Sequence, residues 1–329
     1  MHQFTSAAGA GAPVAADGKA GGLVAALPLT LTGCRCALHS RRLFAGGLLV
    51  GAAALAVPGW AREGVEVGKP SQLSRLISAE QIEGAATEQY TMMLREAAQK
   101  RALGPESHPQ VVRLRAIAQR VIPHTYEWNS RARNWRWEVN LIGSNQINAF
   151  CMPGGKIGFY YGILDRLKLT DDEVAMIMGH EMAHALREHA REQMGKNMAT
   201  RGAIEIGAAL FGLGDVGRIA AGLGGQLLSL RFGRDDESEA DLIGLELAAR
   251  SGYDPRAGVS LWQKMGAANK GAPPEFMSTH PSGPSRIRDI QQSLPQVETL
   301  YARAPKPSQR FGAPTGQAGS APTPATQPR

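Results

Sequence analysis

The spacing of hydrophobic residues along the middle of the chain predicts helices around a small sheet. A capping box at Ser78 opens a predicted helix that continues to about residue 101, and Ser107 opens a second over residues 107–121. Over residues 135–141 every second residue is apolar, and this alternation is typical of a strand with one buried face. The predicted fold class is therefore α+β, with helices in the majority.

Turn signals and a third capping box extend this pattern. A Pro-Gly-Gly triplet at 153–155 predicts a turn, and residues 156–161 form the next predicted strand. Thr170 opens a long predicted helix over residues 171–194, which carries the main candidate chemistry of the chain. Residues 62–125 are thus predicted to form a helical N-terminal part and residues 126–303 the core of one domain.

Residues 1–61 are predicted to be an N-terminal extension with an export signal. The twin arginine Arg41-Arg42 precedes a 15-residue apolar run that ends at Val57, and the small residue Ala61 follows at a plausible cleavage point. The arginine pair resembles a twin-arginine export signal. We therefore expect a periplasmic or otherwise exported protein, cleaved near Ala61.

Two alternatives for the N-terminal segment remain open at this point. Cys34 ends a lipobox-like Leu-Thr-Gly-Cys motif and would be lipidated in a lipoprotein, or the apolar run would stay as an uncleaved N-terminal anchor. Residues 202–230 are apolar but interrupted by charges and glycines, which predicts packed amphipathic helices, with peripheral membrane contact as the alternative. Residues 304–329 are rich in Pro, Gly, Ser and Gln, and they are predicted to be a disordered tail.

Composition excludes several classes of protein. The chain of 329 residues is 43% hydrophobic and 20% charged, which disfavours a disordered chain and a protein with several membrane spans. Its three cysteines are too few for a disulfide scaffold. The net charge of +7 falls to +4 beyond residue 61, and no basic stripe with interleaved aromatic residues is present. We therefore expect no nucleic-acid partner.

The predicted helix over 171–194 contains the sequence His180-Glu181-Met182-Ala183-His184. Residues four apart lie on one face of a helix, so both imidazoles can bind one ion. Glu181 is offset by one position and is placed to act as the general base on a water molecule at the metal. His189 lies about half a turn round the predicted helix from His180, so it faces away from this site and is predicted to be solvated or ion-paired.

An acidic segment downstream offers the third metal ligand. Glu237 and Asp241 are four residues apart on a second predicted helix, so Glu237 could bind the ion while Asp241 accepts a hydrogen bond from a ligand histidine. Glu239 is expected to point elsewhere. A solvated acidic face is the common alternative for such a run, but the HExxH motif upstream favours the metal site.

The combined motifs resemble metallopeptidase family forty-eight, which contains the HtpX-like, CAAX-processing and BepA-like zinc peptidases. The motifs that carry the resemblance occur in the order of the family: Asn148-Ala149-Phe150, Pro153-Gly154-Gly155, HExxH, Glu237-x-x-Ala240-Asp241 and Ser278-Thr279-His280-Pro281. The resemblance implies a gluzincin fold, mainly helical, with a small sheet whose edge strand borders the active-site helix. It further implies one zinc ion held by His180, His184 and Glu237, with Glu181 as the general base.

The family pattern alone gives a meaning to two downstream residues. His280 would either occupy the fourth zinc position in a latent state or stabilise the oxyanion, with Arg286 assisting; a histidine that caps a surface turn is the alternative. By the same resemblance, residues 148–161 would form the edge strand that pairs with an extended substrate, with Asn148, Gly155 and Gly158 along it.

The sequence therefore predicts an exported zinc-dependent endopeptidase. By family analogy, its substrates would be unfolded, misfolded or stalled proteins of the cell envelope. Two other classes stay open: a chaperone-like envelope assembly factor with a latent or secondary peptidase site, and a structural zinc module with all four metal positions closed by protein. The oligomeric state and the cleavage preference do not follow from the sequence.

Overall fold

The computed structural model describes residues 62–210, 224–268, 274–281 and 285–314. The predicted export segment, residues 211–223 of the apolar stretch and the end of the predicted tail lie outside the described residues. None of the helices in the described ranges is both long and apolar enough to cross a membrane.

Helices make up most of the described chain, as predicted. They are α1 (Ala79–Gln99), α2 (Pro109–Val121), α3 (Tyr161–Arg166), α4 (Asp171–Leu186), α5 (His189–Leu210), α6 (Arg234–Arg250), α7 (Ala257–Ala268), α8 (Glu275–Thr279), α9 (Arg286–Ser293) and α10 (Pro295–Arg303). Short 3₁₀ helices lie at Gln72–Leu76, Ile122–Thr125, Ser130–Asn134 and Gly224–Ser229. The predicted capping boxes at Ser78 and Thr170 are confirmed, whereas His108 rather than Ser107 caps α2.

A three-stranded sheet accompanies these helices. Its strands are β1 (Glu138–Ile142), β2 (Ala149–Met152) and β3 (Lys156–Tyr160), in the order β1-β3-β2. The central strand β3 runs parallel to β1 and antiparallel to β2, so β2 lies at one edge. The catalytic-type helix α4 packs against β2 on one side and against α6 on the other. The α+β fold with an edge strand beside this helix is therefore confirmed.

The predicted edge strand over 148–161 is wrong in part. It is a hairpin, and Gly158 lies in the central strand β3, where it pairs with Phe150 of β2 and faces that ring. Gly155 lies in the turn, with a φ of 78°, and a Cβ at this position would come 2.8 Å from the Trp137 ring. Both glycines thus make room for aromatic side chains, and of the predicted edge strand only β2 with the preceding Asn148 lies at an edge of the sheet and lines a cleft.

The strand predicted over 135–141 begins later than its alternation suggests. Trp135 and Trp137 precede β1 and pack on each other, with ring centroids 5.3 Å apart. The Trp135 indole donates to Glu83 of α1, and the Trp137 indole donates to the Ala132 carbonyl. These side chains cover the outside of the β2–β3 turn. The apolar alternation at these two positions therefore reflects packing against the turn, and it does not extend β1.

The helix predicted over 171–194 is also interrupted. α4 ends at Leu186 and α5 begins at His189, because Glu188 adopts a φ of 60° and its amide closes back on the Ala185 carbonyl at 3.2 Å. A positive φ ends the regular helical path of the chain. The residues after Glu188 therefore do not continue along the axis of α4.

The beginning of the predicted disordered tail is packed against the domain. The amide of Phe311 donates to Asp171 at the start of α4, with a distance of 2.7 Å, and Arg310 pairs with Asp172 at 2.8 Å. Asp171 is buried and also accepts from Arg113 at 2.7 Å. The prediction of disorder is therefore wrong for residues 304–314, because two buried or half-buried carboxylates anchor this segment.

Two glycines allow α4 and α6 to approach closely. An ideal Cβ on Gly244 of α6 would lie 2.9 Å from the backbone nitrogen of His180, and one on Gly179 would lie 3.0 Å from the Gly244 carbonyl oxygen. Side-chain atoms do not fit at such distances from backbone, so the crossing requires glycine. It brings the first turns of α6 against the HExxH turn of α4.

We expect Gly244→Ala to lower the free energy of unfolding by about 1–3 kcal/mol, because the added methyl group must push the two helices apart. Chemical denaturation of the full chain measures this change. Gly266→Ala is the matched control, since no atom of the described residues lies within 4 Å of its Cβ position on α7. The control should stabilise the protein by about 0.5–1 kcal/mol through helix propensity. Equal stability of the two variants would contradict the close crossing.

Candidate metal centre

Helix α4 presents two histidines side by side. His180 and His184 are both 3% exposed, and their Nε2 atoms lie 3.1 Å apart. This is the geometry that the four-residue spacing predicts, because both rings leave the same face of the helix. The two nitrogens that face each other are therefore available to one ion.

Helix α6 adds a carboxylate to this pair. Glu237 Oε1 lies 3.5 Å from His184 Nε2, and Glu237 Oε2 lies 3.6 Å from His180 Nε2. Asp241, one turn later, accepts a hydrogen bond from His180 Nδ1 at 3.0 Å. The predicted division of roles between Glu237 and Asp241 agrees with these distances, because Glu237 faces the metal side of the rings and Asp241 faces the other side.

His280 joins the same cluster from the end of α8. Its Nδ1 lies 3.0 Å from Glu237 Oε1 and 3.3 Å from His180 Nε2, and its ring stacks on Phe276 with centroids 4.5 Å apart. The side chain is only 3% exposed. The alternative of a histidine that caps a surface turn is therefore wrong.

Arg286, the first residue of α9, contacts the carboxylates rather than open space. Its Nη1 donates to Glu237 Oε2 at 2.9 Å, and its Nε donates to Asp241 Oδ2 at 2.6 Å. The guanidinium also stacks on Trp262, 3.4 Å from the ring centroid. Burial raises the pKa of Asp241, but the charges and hydrogen bonds of Arg286 and His180 together hold that pKa below the usual range. The geometry favours a role in holding the ligands over the predicted assistance at an oxyanion.

The donor set fits a metal ion. His180, His184, Glu237 and His280 each offer one ligand atom, and these atoms all lie within 4.8 Å of one another. Four buried nitrogen and oxygen donors that converge in this way are the set that zinc sites use. Without an ion, three imidazoles and a carboxylate would share one buried space, which supports the same assignment.

Glu181 stands beside this donor set, and its buried Oε1 has no hydrogen-bond partner among the described residues. The nearest ionisable contact of that oxygen is His280 Nε2, at 3.5 Å. Burial raises the pKa of Glu181, although the nearby His280 and His180 partly oppose this. An unpartnered carboxylate oxygen with a raised pKa has the properties of a general base that awaits a water molecule.

A cleft runs past the cluster between β2 and a set of apolar side chains. Asn148 and all of β2 line one part of it, and Glu181, His184 and His280 line the part next to the donor set. The remaining lining is largely apolar, contributed by Ala185, Ala190, Leu227, Leu228, Leu230 and Phe232. The cleft thus offers the backbone of an edge strand beside the candidate metal ligands.

Two contacts of His184 were not predicted from the sequence. Phe232 stacks on its ring at a centroid distance of 4.0 Å, and His189 Nδ1 lies 2.9 Å from its Nδ1. As predicted, the convergent donors among the described residues do not include His189, which pairs with Glu239 at 3.3 Å. Its contact with His184 arises because the chain turns at Glu188. No glycine or proline marks the break between α4 and α5, so the sequence carries no local signal that could have revealed this contact.

These elements define a class of protein. A helix with HExxH, a glutamate from a second helix and a cleft along an edge strand are the arrangement of zincin-type metallopeptidase domains. The sequence model of "Peptidase family M48" matches residues 109–294, which is more than half of the chain. The chain therefore belongs to peptidase family M48.

Curated relatives match about half of the chain. The mitochondrial metalloendopeptidase OMA1 of Arabidopsis thaliana is 37% identical over 164 residues, which cover 50% of this chain and 33% of that protein. OMA1 of Schizosaccharomyces pombe is 34% identical over 197 residues, covering 59% of this chain and 56% of the relative. The beta-barrel assembly-enhancing protease of Escherichia coli K12 is 29% identical over 174 residues, covering 50% and 36%. The chain thus spans between 33% and 56% of the length of these relatives.

Proposed function

We propose that this protein is a zinc-dependent endopeptidase. The observation that carries the proposal is the unpartnered, buried oxygen of Glu181 next to four convergent metal donors at the side of a cleft. Membership in a peptidase family and relatives named metalloendopeptidases support the same activity. The reaction is hydrolysis of an internal peptide bond.

His180, His184 and Glu237 would hold the zinc ion, with Asp241 and Arg286 keeping these side chains in place. When bound, zinc acts as a Lewis acid that makes a water molecule more acidic and polarises the scissile carbonyl. Arg286 balances the charge of the two buried carboxylates, so the cluster carries less net negative charge before metal binding. In this proposal Arg286 is a positioning residue.

Glu181 would move the proton in the reaction. Its Oε1 has no other partner, so it can accept a proton from the attacking water and then deliver it to the amine of the departing chain. Water adds its oxygen to the carbonyl carbon, the C–N bond breaks, and the new carboxyl and amino termini result. Burial of the carboxylate favours this proton transfer, because the raised pKa makes Glu181 a stronger base.

The substrate would be an extended segment of an unfolded or misfolded protein. Such a segment can lie along β2, an edge strand that lines the cleft, and hydrogen-bond through its main chain with little dependence on its sequence. The apolar lining of the cleft favours large hydrophobic side chains next to the scissile bond. Folded proteins bury such segments, so only misfolded or stalled chains would be cleaved.

Export and envelope location belong to the same proposal. The twin arginine at 41–42 and the apolar run before Ala61 support export to the periplasm, where misfolded or stalled envelope proteins would be the substrates. Peripheral contact of residues 202–230 with a membrane is a further part of this proposal. N-terminal sequencing of the protein from its native host tests cleavage near Ala61; a lipidated N-terminus at Cys34 or an intact N-terminal segment would contradict it.

His280 would occupy the fourth position on the metal in a latent state. Its Nδ1 lies among the donor atoms, which favours ligation over the alternative of an oxyanion stabiliser. A zinc ion with four protein ligands leaves no open position for water. Only the fraction of molecules in which the His280 segment is open would then cleave substrate, and this fraction would account for the activity of the parent.

We expect His280→Ala to increase the rate of casein cleavage at saturating zinc, while it weakens zinc binding. The removal of one of four donors opens a coordination position but also lowers the affinity of the site for the ion. His124→Ala on the 3₁₀ helix Ile122–Thr125 is the control and should leave both quantities unchanged. A lower rate at full zinc occupancy would instead indicate that His280 stabilises the oxyanion.

A chaperone-like assembly factor with a secondary peptidase site is the second candidate. The name of the Escherichia coli relative joins assembly to proteolysis. Four protein donors would also suit a closed structural zinc site. The discriminating variant is Glu181→Gln. Full cellular function without cleavage would favour the assembly factor, whereas loss of both would favour the peptidase.

The proposal is tested by digestion of unfolded casein with the full-length protein at one equivalent of zinc, carried out in water enriched in oxygen-18. We expect fragments with two internal ends, each with one heavy oxygen in its new carboxyl group. Mass spectrometry detects both features. Release of single terminal residues only, or intact casein with both the parent and His280→Ala, would contradict an endopeptidase.

A further inference from the structure

His184 makes a second buried contact on the side of its ring that faces away from the donor set. Its Nε2 lies among the metal donors, 3.5 Å from Glu237 Oε1, whereas its Nδ1 lies 2.9 Å from Nδ1 of His189. His189 is the first residue of α5 and only 2% exposed. This contact exists because the chain turns at Glu188 and brings α5 back over the end of α4.

The direction of this hydrogen bond follows from the metal. A histidine that binds an ion through Nε2 must carry its proton on Nδ1. Two ring nitrogens 2.9 Å apart share one proton, so His184 Nδ1 donates and His189 Nδ1 accepts. His189 must then carry its own proton on Nε2.

The proton on the far nitrogen of His189 has an acceptor in the right place. His189 Nε2 lies 3.3 Å from Glu239 Oε2, and the other oxygen of Glu239 pairs with the guanidinium of Arg187. Arg187 also donates to the Gly68 carbonyl, which holds the guanidinium in place. The chain of contacts therefore runs from the metal side of His184 to the half-buried ion pair of Glu239 and Arg187, with a donor and an acceptor at each step.

The second metal histidine has the same kind of support. His180 Nδ1 donates to Asp241, and Asp241 pairs with Arg286. In each case the free ring nitrogen of a ligand histidine meets an acceptor whose position is fixed by an arginine. The difference is that His184 reaches its carboxylate through an intervening imidazole.

We infer that His189, oriented by Glu239, is a positioning residue that fixes the ring and the proton of His184 for metal binding. The inference rests on the proposed zinc site and adds to it two residues that the HExxH and Glu-x-x-Ala-Asp motifs do not include. A second metal ion at His189 and Glu239 is not the better explanation, because Arg187 already balances the charge of that carboxylate. Among the described residues, the convergent donor set does not include His189.

Loss of the acceptor should therefore weaken zinc binding while the fold stays intact. Removal of such a supporting contact lowers metal affinity by about 10- to 100-fold. His189→Leu removes the acceptor and keeps an apolar side chain in the buried space. His189→Asn keeps an oxygen close to the place of Nδ1 and should hold the zinc affinity within a few-fold of the parent.

The experiment measures the zinc dissociation constant of the metal-free, full-length protein by competition with a chromophoric chelator. Circular dichroism and thermal unfolding of the metal-free forms run in parallel, and His124→Leu is the matched control for replacement of a histidine far from the site. We expect weak binding by His189→Leu and near-parental binding by His189→Asn and by the control. A purely structural role of His189 would lower stability and leave zinc affinity unchanged.

The zinc affinities of these variants decide whether His189 positions His184. Zinc affinity of His189→Leu within twofold of the parent would overturn it, and equally weak binding by the Leu and Asn variants would overturn the hydrogen-bond role. If His189→Leu does not fold, Glu239→Met tests the same chain of contacts from α6, with a smaller loss of affinity expected and no loss as the contradicting result. If the parent itself binds no zinc, the proposed function is wrong. This outcome differs from failure of the His189 role, in which the parent binds zinc normally.

Discussion

Glu181→Gln should abolish most of the peptidase activity while the protein binds zinc as before. General acid–base catalysis of this kind contributes about 10²- to 10⁴-fold, so kcat for casein or a fluorogenic peptide should fall by that factor. The amide has nearly the same shape as the carboxylate but cannot accept the proton at Oε1. Because Glu181 does not belong to the convergent donor set, zinc content should stay at one ion per chain.

The matched control for this prediction is Glu192→Gln. Glu192 lies on α5 and pairs with Lys196 at 2.6 Å, away from the cleft, so its loss removes the same charge without touching the site. Its kcat should equal that of the parent. A Glu181→Gln enzyme with parental kcat at equal zinc content would show that another group takes the proton, and the assignment of the general base would be wrong.

Glu237→Gln should have the second large effect, on zinc binding itself. The substitution removes the only carboxylate among the four convergent donors and leaves Arg286 without one of its two buried partners. Breaking a buried charge pair costs about 3–5 kcal/mol. If the zinc-bound protein alone carries this cost, the zinc affinity falls more than a hundredfold. Chelator competition and the zinc content after gel filtration measure this loss.

Asp235→Asn provides the comparison on the same helix. Asp235 lies in the first turn of α6 like Glu237 but is exposed to solvent. Its neutralisation should cost about 0.3–1 kcal/mol of stability through the helix dipole and should leave zinc affinity unchanged. Similar zinc affinities for the two variants would mean that Glu237 is not a ligand.

The central residues of the site could be predicted from the sequence because their spacing is local. His180 and His184 share a helical face by periodicity alone, and so do Glu237 and Asp241. That the two helices meet could not be read from either segment, and it depends on the contact between Gly179 and Gly244. The family resemblance supplied this pairing in place of a physical derivation, and the structure agrees with it.

The sequence-based predictions are wrong where a local pattern is continued past a point at which tertiary contacts decide the path of the chain. The helix break at Glu188 has no sequence signal, so the contact of His189 with the His184 ring could not be predicted. The aromatic alternation at Trp135 and Trp137 reports packing over a turn rather than a strand. The Pro- and Gly-rich segment after residue 304 lacks a core of its own, yet backbone hydrogen bonds to Asp171 order its first part.

The roles of residues implied only by resemblance also changed. Arg286 was expected near an oxyanion, but its guanidinium is engaged by Glu237 and Asp241 and stacks on Trp262. Gly158 was expected along the substrate and instead gives space to Phe150 in the centre of the sheet. A motif gives the identity of such residues, whereas their partners follow only from three-dimensional contacts.

The most direct test of the account is a zinc titration of the metal-free, full-length protein in which bound zinc and the initial rate of casein cleavage are measured on the same samples. We predict that the rate rises in proportion to bound zinc and stops rising at one ion per chain, with Glu181→Gln binding the same zinc and staying inactive. Cleavage by the metal-free protein, or one tightly bound zinc without cleavage by either the parent or His280→Ala, would contradict a zinc-dependent peptidase at this site.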